Sequence, residues 1–208
     1  MESNKPVLLF DMDDVLALFA EGFWDEVALR FPAVKIPHIS VSNSWDLCTV
    51  ESGLTREMML EIFESPYFFR NLKVAPHAVE VMKQLEEANA NAFICSAPYI
   101  TNPTCASDKV EWVGEHFGPW WQKRVILTMD KTMVYGDYLF DDKPVITGLR
   151  KPSWQHVVWD RNYNRDSKGL RILNWESAYD FISTLPVPKR NGFRVRIAKF
   201  RAFLSSLL

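Results

Sequence analysis

Short apolar runs punctuate the chain and are its clearest sign of regular structure. Most of them are rich in β-branched or aromatic residues and are bounded by Pro, Asp or Asn. A short apolar run between turn signals is typical of a buried strand. The pattern therefore predicts strands at residues 7–10, 92–95, 124–128, 138–140 and 156–159.

The segments between these runs have the apolar spacing of helices. In residues 77–90, Val79, Met82 and Leu85 recur at three-residue intervals, and a second helical stretch stops at Gly118. Strands that alternate with helices favour a parallel sheet covered on both faces. The pattern predicts an α/β chain with a Rossmann-like parallel sheet and helices on both of its faces.

Residues 18–74 break this alternation. They contain two helix-like runs, no convincing buried strand and a concentration of aromatic residues. These residues are Phe19, Phe23, Trp24, Phe31, Trp45, Phe63, Tyr67, Phe68 and Phe69. We interpret the stretch as a small helical cap, inserted after the first strand and overhanging the strand ends. The predicted organisation is an α/β core at 1–17 and 75–188, the cap at 18–74, and a tail at 189–208.

Composition places the chain among ordinary globular proteins. Its 208 residues are 48% hydrophobic and carry a formal net charge of -2, so overall charge gives no reason to expect a nucleic-acid partner. Cys48, Cys95 and Cys105 are too scattered for a disulfide framework or a zinc site. Because no secretory signal and no run of about 18 apolar residues is visible, we expect a cytoplasmic protein.

The densest polar cluster follows the first predicted strand. In PVLLFDMDDVLALF, residues 6–19, an apolar run leads into Asp11, Asp13 and Asp14. Ligands of open parallel sheets bind at the carboxyl ends of the strands. Taken alone, an Asp-x-Asp pair is a modest signal, because acidic turns are common.

Further polar groups follow the later predicted strands in the same way. FICSAP places Ser96 at the end of the second strand, and TMDKT places Lys131 just after the third. LFDDKP places Asp141 and Asp142 at the end of the fourth. We therefore expect all four clusters to meet at one edge of the sheet.

In this order, the clusters resemble the four motifs of the haloacid dehalogenase superfamily of phosphotransferases. The resemblance narrows to the cytosolic and mitochondrial 5′(3′)-deoxyribonucleotidases. It rests on six segments that agree in order and spacing: DMDDVLALFAEGF, FICSAP, HFGPWW, VILTMDKT, LFDDKP and PSWQHVVW. Together they cover about residues 6–160.

The resemblance implies phosphoryl transfer through an aspartyl-phosphate intermediate. Asp11 would be the nucleophile, and Asp13 would protonate the leaving ribose oxygen and then deprotonate the attacking water. Ser96 would donate a hydrogen bond to the phosphate, and Lys131 would supply a fixed positive charge there. Because an ordinary aspartate has a pKa of about 3.9, the surroundings of Asp13 should raise its pKa.

A divalent cation is also expected, since so many carboxylates on one edge would repel each other. Magnesium is a hard ion that one or two carboxylates, phosphate and water can hold. By resemblance its ligands would be Asp11, the backbone carbonyl of Asp13, and one of Asp141 and Asp142. The sequence does not decide between the last two.

The resemblance also implies an aromatic pocket that stacks the base of a nucleotide, formed here by Phe19, Trp45, Phe63 and Phe69. Stacking contributes about 1 to 3 kcal/mol per base and accepts many bases. It therefore favours nucleotides over bare sugar phosphates without deciding which base is preferred.

Four residues depart from the family pattern: Asp14, Ala97, Met129 and Phe63. Asp14 stands in place of a glycine, and Ala97 in place of a second hydroxyl beside Ser96. Met129 replaces an arginine, and Phe63 a tryptophan. The predicted catalytic residues survive these changes. The preference for deoxyribose, and for 5′ over 3′ phosphate, does not carry over from the family.

Two features outside the motifs have two interpretations each. Lys109 could reach the phosphate region, although a solvated helix lysine is the favoured interpretation. The tail, KRNGFRVRIAKFRAFLSSLL, is basic and has apolar residues at helical spacing. It could lie on a membrane surface or a polyanion, but packing on the core, or on a second subunit of a homodimer, is favoured.

The function favoured by the sequence is a magnesium-dependent phosphomonoesterase for nucleoside, and particularly deoxynucleoside, monophosphates. One alternative is a phosphatase of the same fold for another small phosphomonoester. A second alternative is a non-catalytic module that binds nucleotides, or binds a partner through the tail. The intact set of motif residues argues against the second alternative.

Overall fold

The computed structural model describes residues 5–36 and 53–187, which form a parallel sheet with helices packed against it. The strands are β1 (Leu8–Phe10), β2 (Ala92–Ser96), β3 (Val125–Leu127), β4 (Tyr138–Asp141), β5 (Gln155–Trp159) and β6 (Leu170–Ile172). Their order across the sheet is β3-β2-β1-β4-β5-β6, and every neighbouring pair is parallel. The predicted Rossmann-like α/β fold is confirmed.

All five predicted strands are present, with ends within one residue of the prediction. The sequence pattern misses β6, which has only three residues and lies at the edge of the sheet. Its central residue is Arg171, whose guanidinium lies 2.6 Å from Oδ1 of Asp160. A short edge strand with a charged centre has no apolar run to reveal it.

Six α-helices lie in the described ranges: α1 (Phe19–Arg30), α2 (Arg56–Phe63), α3 (Ala78–Glu87), α4 (Cys105–Phe117), α5 (Pro119–Gln122) and α6 (Ala178–Thr184). The predicted stop of α4 is confirmed, because Gly118 takes a φ of 87°, which glycine adopts easily. In α3 the buried stripe runs through Ala78, Met82 and Leu85, whereas Val79 is 39% exposed. The strict three-residue spacing was wrong there, since a helical turn takes 3.6 residues.

The two faces of the sheet bury different sets of strand side chains, because successive residues of a strand point to opposite faces. Leu8 and Phe10 belong to a large core shared with α3, α4 and α6. Leu9 and Leu139 pack on the other face, against Trp154. Burial on both faces is why the strands read as continuous apolar runs in the sequence.

The described part of residues 18–74 contains α1, α2 and a short 3-10 helix at Phe69–Asn71. Arg70, in this 3-10 helix, pairs with Glu111 and Glu115 of α4 and so joins this part of the chain to the helices that cover the sheet. Trp45 and the tail lie outside the described residues. The division into domains and the homodimer stay predictions. Within the described ranges, every helix is too short or too polar to cross a membrane.

Candidate active site

The strand ends bring the predicted polar residues to one edge of the sheet. Asp11 directly follows β1, Ser96 ends β2, and Lys131 begins a 3-10 helix shortly after β3. Asp141 ends β4, and Asp142 comes next. The backbone N–H of Asp11 donates to the carbonyl of Phe140 at 2.8 Å, which holds the ends of β1 and β4 side by side.

Lys131 connects the two central carboxylates of this edge. Its Nζ lies 2.7 Å from Oδ1 of Asp11 and 2.5 Å from Oδ2 of Asp141. Burial by itself would lower the pKa of Lys131, but the two carboxylates outweigh burial and raise the pKa. The ammonium is therefore held in its charged form beside the predicted nucleophile.

Asp11, Asp141 and Asp142 form a cluster that could hold a metal ion, because one carboxylate oxygen of each lies within 4.8 Å of the others. Asp141 and Asp142 are each 1% exposed. Burial raises the pKa of both residues. The charge of Asp11 raises the pKa of Asp141 further, and the charge of Asp141 raises the pKa of Asp142 further. Hard oxygen donors that repel one another in this way suit a hard divalent cation.

Lys109 connects Asp13 to Ser96. Its Nζ lies 2.5 Å from Oδ2 of Asp13 and donates to Oγ of Ser96 at 3.0 Å, and the residue is 0% exposed. The interpretation of Lys109 as a solvated helix lysine is therefore wrong. Lys109 follows Cys105 by four residues and precedes Trp112 by three, so it starts from the buried face of α4.

The second oxygen of Asp13 has a different setting. Oδ1 is buried, and within the described residues no group donates a hydrogen bond to it. Burial raises the pKa of Asp13, and the nearby ammonium of Lys109 opposes this rise. An aspartate with one oxygen fixed and the other unpaired can hold a proton on the second, as a general acid must.

Asp14 occupies the position where the family resemblance implies glycine. Its φ is 53°, in the left-handed region that glycine adopts freely and that aspartate tolerates better than most residues. Its Oδ1 accepts a hydrogen bond from the backbone N–H of Ala20, in the first turn of α1, at 3.0 Å. Burial raises the pKa of Asp14 to about 6. The carboxylate thus satisfies an N–H at the start of the helix that follows.

The lining of a cavity of about 930 Å³ includes two chemically different groups of residues. We call the first group the acidic floor: Asp11, Asp13, Lys131, Asp141 and Asp142. We call the second group the apolar wall: Leu18, Phe19, Trp24, Met59 and Phe63. Ser96 is 1% exposed and lies outside the lining, whereas its neighbour Ala97 lines the cavity. The volume falls in the range usual for small-molecule sites.

Two of the four residues predicted to contact a base line the cavity. Phe19 and Phe63 line the cavity, with ring centroids 5.5 Å apart. Phe69 is 3% exposed and lies outside the lining, because Phe19 stacks beside its ring at 6.1 Å and Nζ of Lys109 lies 5.1 Å from its ring centre. Phe69 thus packs against Phe19 and Lys109, and its contact with a base stays a prediction. Trp45 lies outside the described residues.

The segment after β5 was missed by sequence reasoning. The guanidinium of Arg161 donates to the backbone carbonyl of Asp14. The hydroxyl of Tyr163 donates to Oδ2 of Asp142, and Nδ2 of Asn164 donates to the carbonyl of Asp142 at 2.7 Å. The one available signal was position, since these residues also follow the carboxyl end of a parallel strand.

A Rossmann-like sheet that gathers an Asp-x-Asp turn, a buried lysine and an Asp-Asp pair at one edge defines a phosphatase of the haloacid dehalogenase type. Comparison with known proteins gives the family. Residues 5–188 match the family of the 5′ nucleotidase, deoxy (pyrimidine), cytosolic type C protein. The chain belongs to this family and is a 5′(3′)-deoxyribonucleotidase-like hydrolase of phosphoric monoesters.

Individual relatives agree with this assignment. The mitochondrial 5′(3′)-deoxyribonucleotidase of Mus musculus is 37% identical over 165 residues, which cover 76% of this chain and 74% of the mouse protein. The cytosolic 5′(3′)-deoxyribonucleotidase of Homo sapiens is 32% identical over 179 residues, covering 81% and 88%. A Bordetella pertussis protein, provisionally named a 5′(3′)-deoxyribonucleotidase, is 36% identical over 171 residues, covering 82% and 92%.

Proposed function

We propose that this protein is a magnesium-dependent phosphomonoesterase that hydrolyses nucleoside monophosphates, preferring deoxynucleosides, through an aspartyl-phosphate intermediate. The observation that carries the proposal is the cavity, which combines an acidic floor suited to phosphoryl transfer with an apolar wall suited to a base. The deoxyribonucleotidases of mouse and human support the choice of nucleotides as substrates. A cytoplasmic location is part of the proposal.

In the first step, the carboxylate of Asp11 attacks phosphorus as the bond from phosphorus to the ribose oxygen breaks. Lys131, whose Nζ is 2.7 Å from Oδ1 of Asp11, places a positive charge where the phosphoryl oxygens gain negative charge. The products of this step are the nucleoside and an aspartyl-phosphate on Asp11.

Asp13 moves the protons in both steps. It gives its proton to the leaving ribose oxygen, then takes one from the water that attacks the aspartyl-phosphate and frees inorganic phosphate. Its unpaired Oδ1 and its raised pKa support this role. Lys109 fixes the other oxygen and so directs the proton-carrying one.

Asp11, Asp141 and Asp142, with the backbone carbonyl of Asp13, would hold magnesium in this site. When bound, the ion supplies positive charge to the phosphoryl oxygens and to the leaving group. The spacing of the three carboxylates supports the use of both Asp141 and Asp142 as ligands.

The test is phosphate release from deoxy and ribo monophosphates, with 5′ and 3′ isomers, and from a small aryl phosphate that lacks a base. Each assay is run with magnesium and with EDTA, and a sample purified in the same way from cells that do not make the protein is the control for contaminating phosphatases. We expect magnesium-dependent release that is fastest with deoxynucleotides. Equal turnover of all substrates would support the alternative of another small phosphomonoester, and no release at all would support a binding module.

A further inference from the structure

The segment beyond β5 makes two contacts to a single residue of the acidic floor. We propose that Tyr163 and Asn164 are positioning residues that orient Asp142 for the divalent cation. This inference rests on the proposed function, because it concerns the same metal site. It assigns a role to residues that lie outside the four motifs and beyond the segments that carried the family resemblance.

Tyr163 fixes the carboxylate of Asp142. Its hydroxyl donates a hydrogen bond to Oδ2, so rotation of the carboxylate about the Cβ–Cγ bond would break this contact. Asp142 is 1% exposed. Bulk water, which would replace a lost hydrogen bond at a surface aspartate, has little access to it. The phenol therefore determines which way this carboxylate faces.

Asn164 fixes the backbone at the same residue. Its Nδ2 donates to the carbonyls of Asp142 and Trp159, both at 2.7 Å, and it is 1% exposed. Its Oδ1 accepts from the backbone N–H of Arg161 at 3.0 Å and from the guanidinium of Arg171 at 2.9 Å. Every polar atom of the amide is used, so Asn164 ties Asp142 rigidly to the end of β5 and to the middle of β6.

Orientation matters at this position because of the ion that the site is proposed to hold. Magnesium demands near-ideal octahedral geometry, so a carboxylate that can rotate loses part of its value as a ligand. Groups that hold metal ligands in place typically change metal affinity or activity 10- to 100-fold when they are removed. Tyr163 is the better test of the two residues, since its contact can be removed by deleting one oxygen.

The experiment compares wild type with Tyr163→Phe, which keeps the ring and removes the hydroxyl. Magnesium binding is measured without substrate, by calorimetry and by the magnesium-induced rise in melting temperature. We expect Tyr163→Phe to bind magnesium about 10- to 100-fold more weakly. At saturating magnesium its kcat on the aryl phosphate should return close to the wild-type value, which a general loss of structure would not allow.

Tyr138→Phe is the matched control. It also deletes a phenol hydroxyl on this sheet, one that donates to the carbonyl of Pro186 at 2.9 Å, at the opposite end of the strand that carries Asp141. Its magnesium affinity should equal that of wild type. If Tyr138→Phe also bound magnesium more weakly than wild type, loss of a phenol hydroxyl would have a general effect, and the inference about Tyr163 would be overturned.

The outcomes separate this inference from the proposed function. If wild type itself binds no magnesium, the metal site of the proposed function fails. If wild type binds magnesium and Tyr163→Phe binds it equally well, only the present inference is overturned. Unchanged magnesium affinity with a raised KM for nucleotides would likewise overturn it and would place Tyr163 among the substrate contacts.

Discussion

The acidic floor and the apolar wall line the same cavity but are held by different forces. Floor residues are fixed by directional contacts, such as the 2.7 Å pair between Lys131 and Asp11. The wall is held by ring packing: the ring centroid of Phe63 lies 5.5 Å from that of Phe19 and 5.3 Å from that of Phe23. Directional contacts fix atoms within tenths of an ångström, whereas packed rings tolerate changes of shape.

Because of this difference, we expect the two regions to respond differently to mutation. A change of one atom in the floor should stop the reaction on every substrate. A change of a whole ring in the wall should alter which substrates are preferred. The four predictions below test this contrast, beginning with the largest expected effect.

Asp11→Asn should reduce turnover at least about 10³-fold on every substrate, because an amide of the same shape is a far poorer nucleophile. Steady-state phosphate release and the melting temperature are the measurements. Asp25→Asn makes the same chemical change on the exposed side of α1, where Asp25 pairs with Lys73 at 3.1 Å. It should leave turnover unchanged, and magnesium-dependent activity in Asp11→Asn would exclude Asp11 as the nucleophile.

Asp13→Asn should slow turnover about 10²- to 10⁴-fold, since it removes the acid and base of the two steps. An aryl phosphate has a good leaving group that needs little protonation, so the first step should suffer less than the second. The phosphorylated protein should then accumulate, which mass spectrometry of a quenched reaction detects. Unchanged steady-state rates would show that another group moves the protons.

Phe63→Ala should lower kcat/KM for nucleotides by about 1 to 3 kcal/mol, the range for one lost stacking contact on a base. The same variant should hydrolyse the aryl phosphate almost normally, so damage to the fold is controlled within one protein. Phe69→Leu, which changes a ring outside the lining, should affect both substrates alike. If Phe63→Ala lost kcat/KM equally on nucleotides and on the aryl phosphate, the proposed difference between floor and wall would be contradicted.

Ala97→Ser should give the smallest effect, and in the opposite direction. It adds a hydroxyl where the lining meets the end of β2, and the net gain from one added hydrogen bond, which replaces a bond to water, is about 0.5 to 1.5 kcal/mol. We expect KM to fall up to about tenfold for nucleotides and for the aryl phosphate alike, because the contact would be to phosphate. An effect confined to nucleotides would instead assign this position to the sugar.

The floor could be predicted from the sequence because of a simple geometric rule. Polar residues that directly follow apolar strands must meet at one edge when the strands are parallel, so Asp11, Lys131 and Asp141 were found from their positions alone. The family resemblance then supplied their roles. Neither argument needed any knowledge of side-chain contacts.

The residues that support the floor depend on contacts between distant parts of the chain. Lys109 reaches Asp13, which lies 96 residues earlier, and Tyr163 reaches Asp142, which lies 21 residues earlier, before β5. A lysine on the apolar face of α4 was a visible sign that its charge is satisfied inside the protein. The sequence did not say which acid it meets.

The wall was only partly predictable for a related reason. A concentration of aromatic residues signals packing, but it does not tell which rings face a cavity and which support them. Phe63 and Phe69 looked equivalent in the sequence, yet only Phe63 lines the cavity. The difference depends on how α1, α2 and the 3-10 helix at Phe69–Asn71 pack together.

Asp14, at a position where the family resemblance implies glycine, stiffens the connection between β1 and α1. A glycine at φ of 53° would let the chain swivel between the nucleophile turn and α1. Asp14 is instead braced through its side chain to Ala20 and through its carbonyl to Arg161. The helix that carries Phe19 is thus held firmly to the turn that carries Asp11, so the fold itself fixes the separation between the apolar wall and the acidic floor of the cavity.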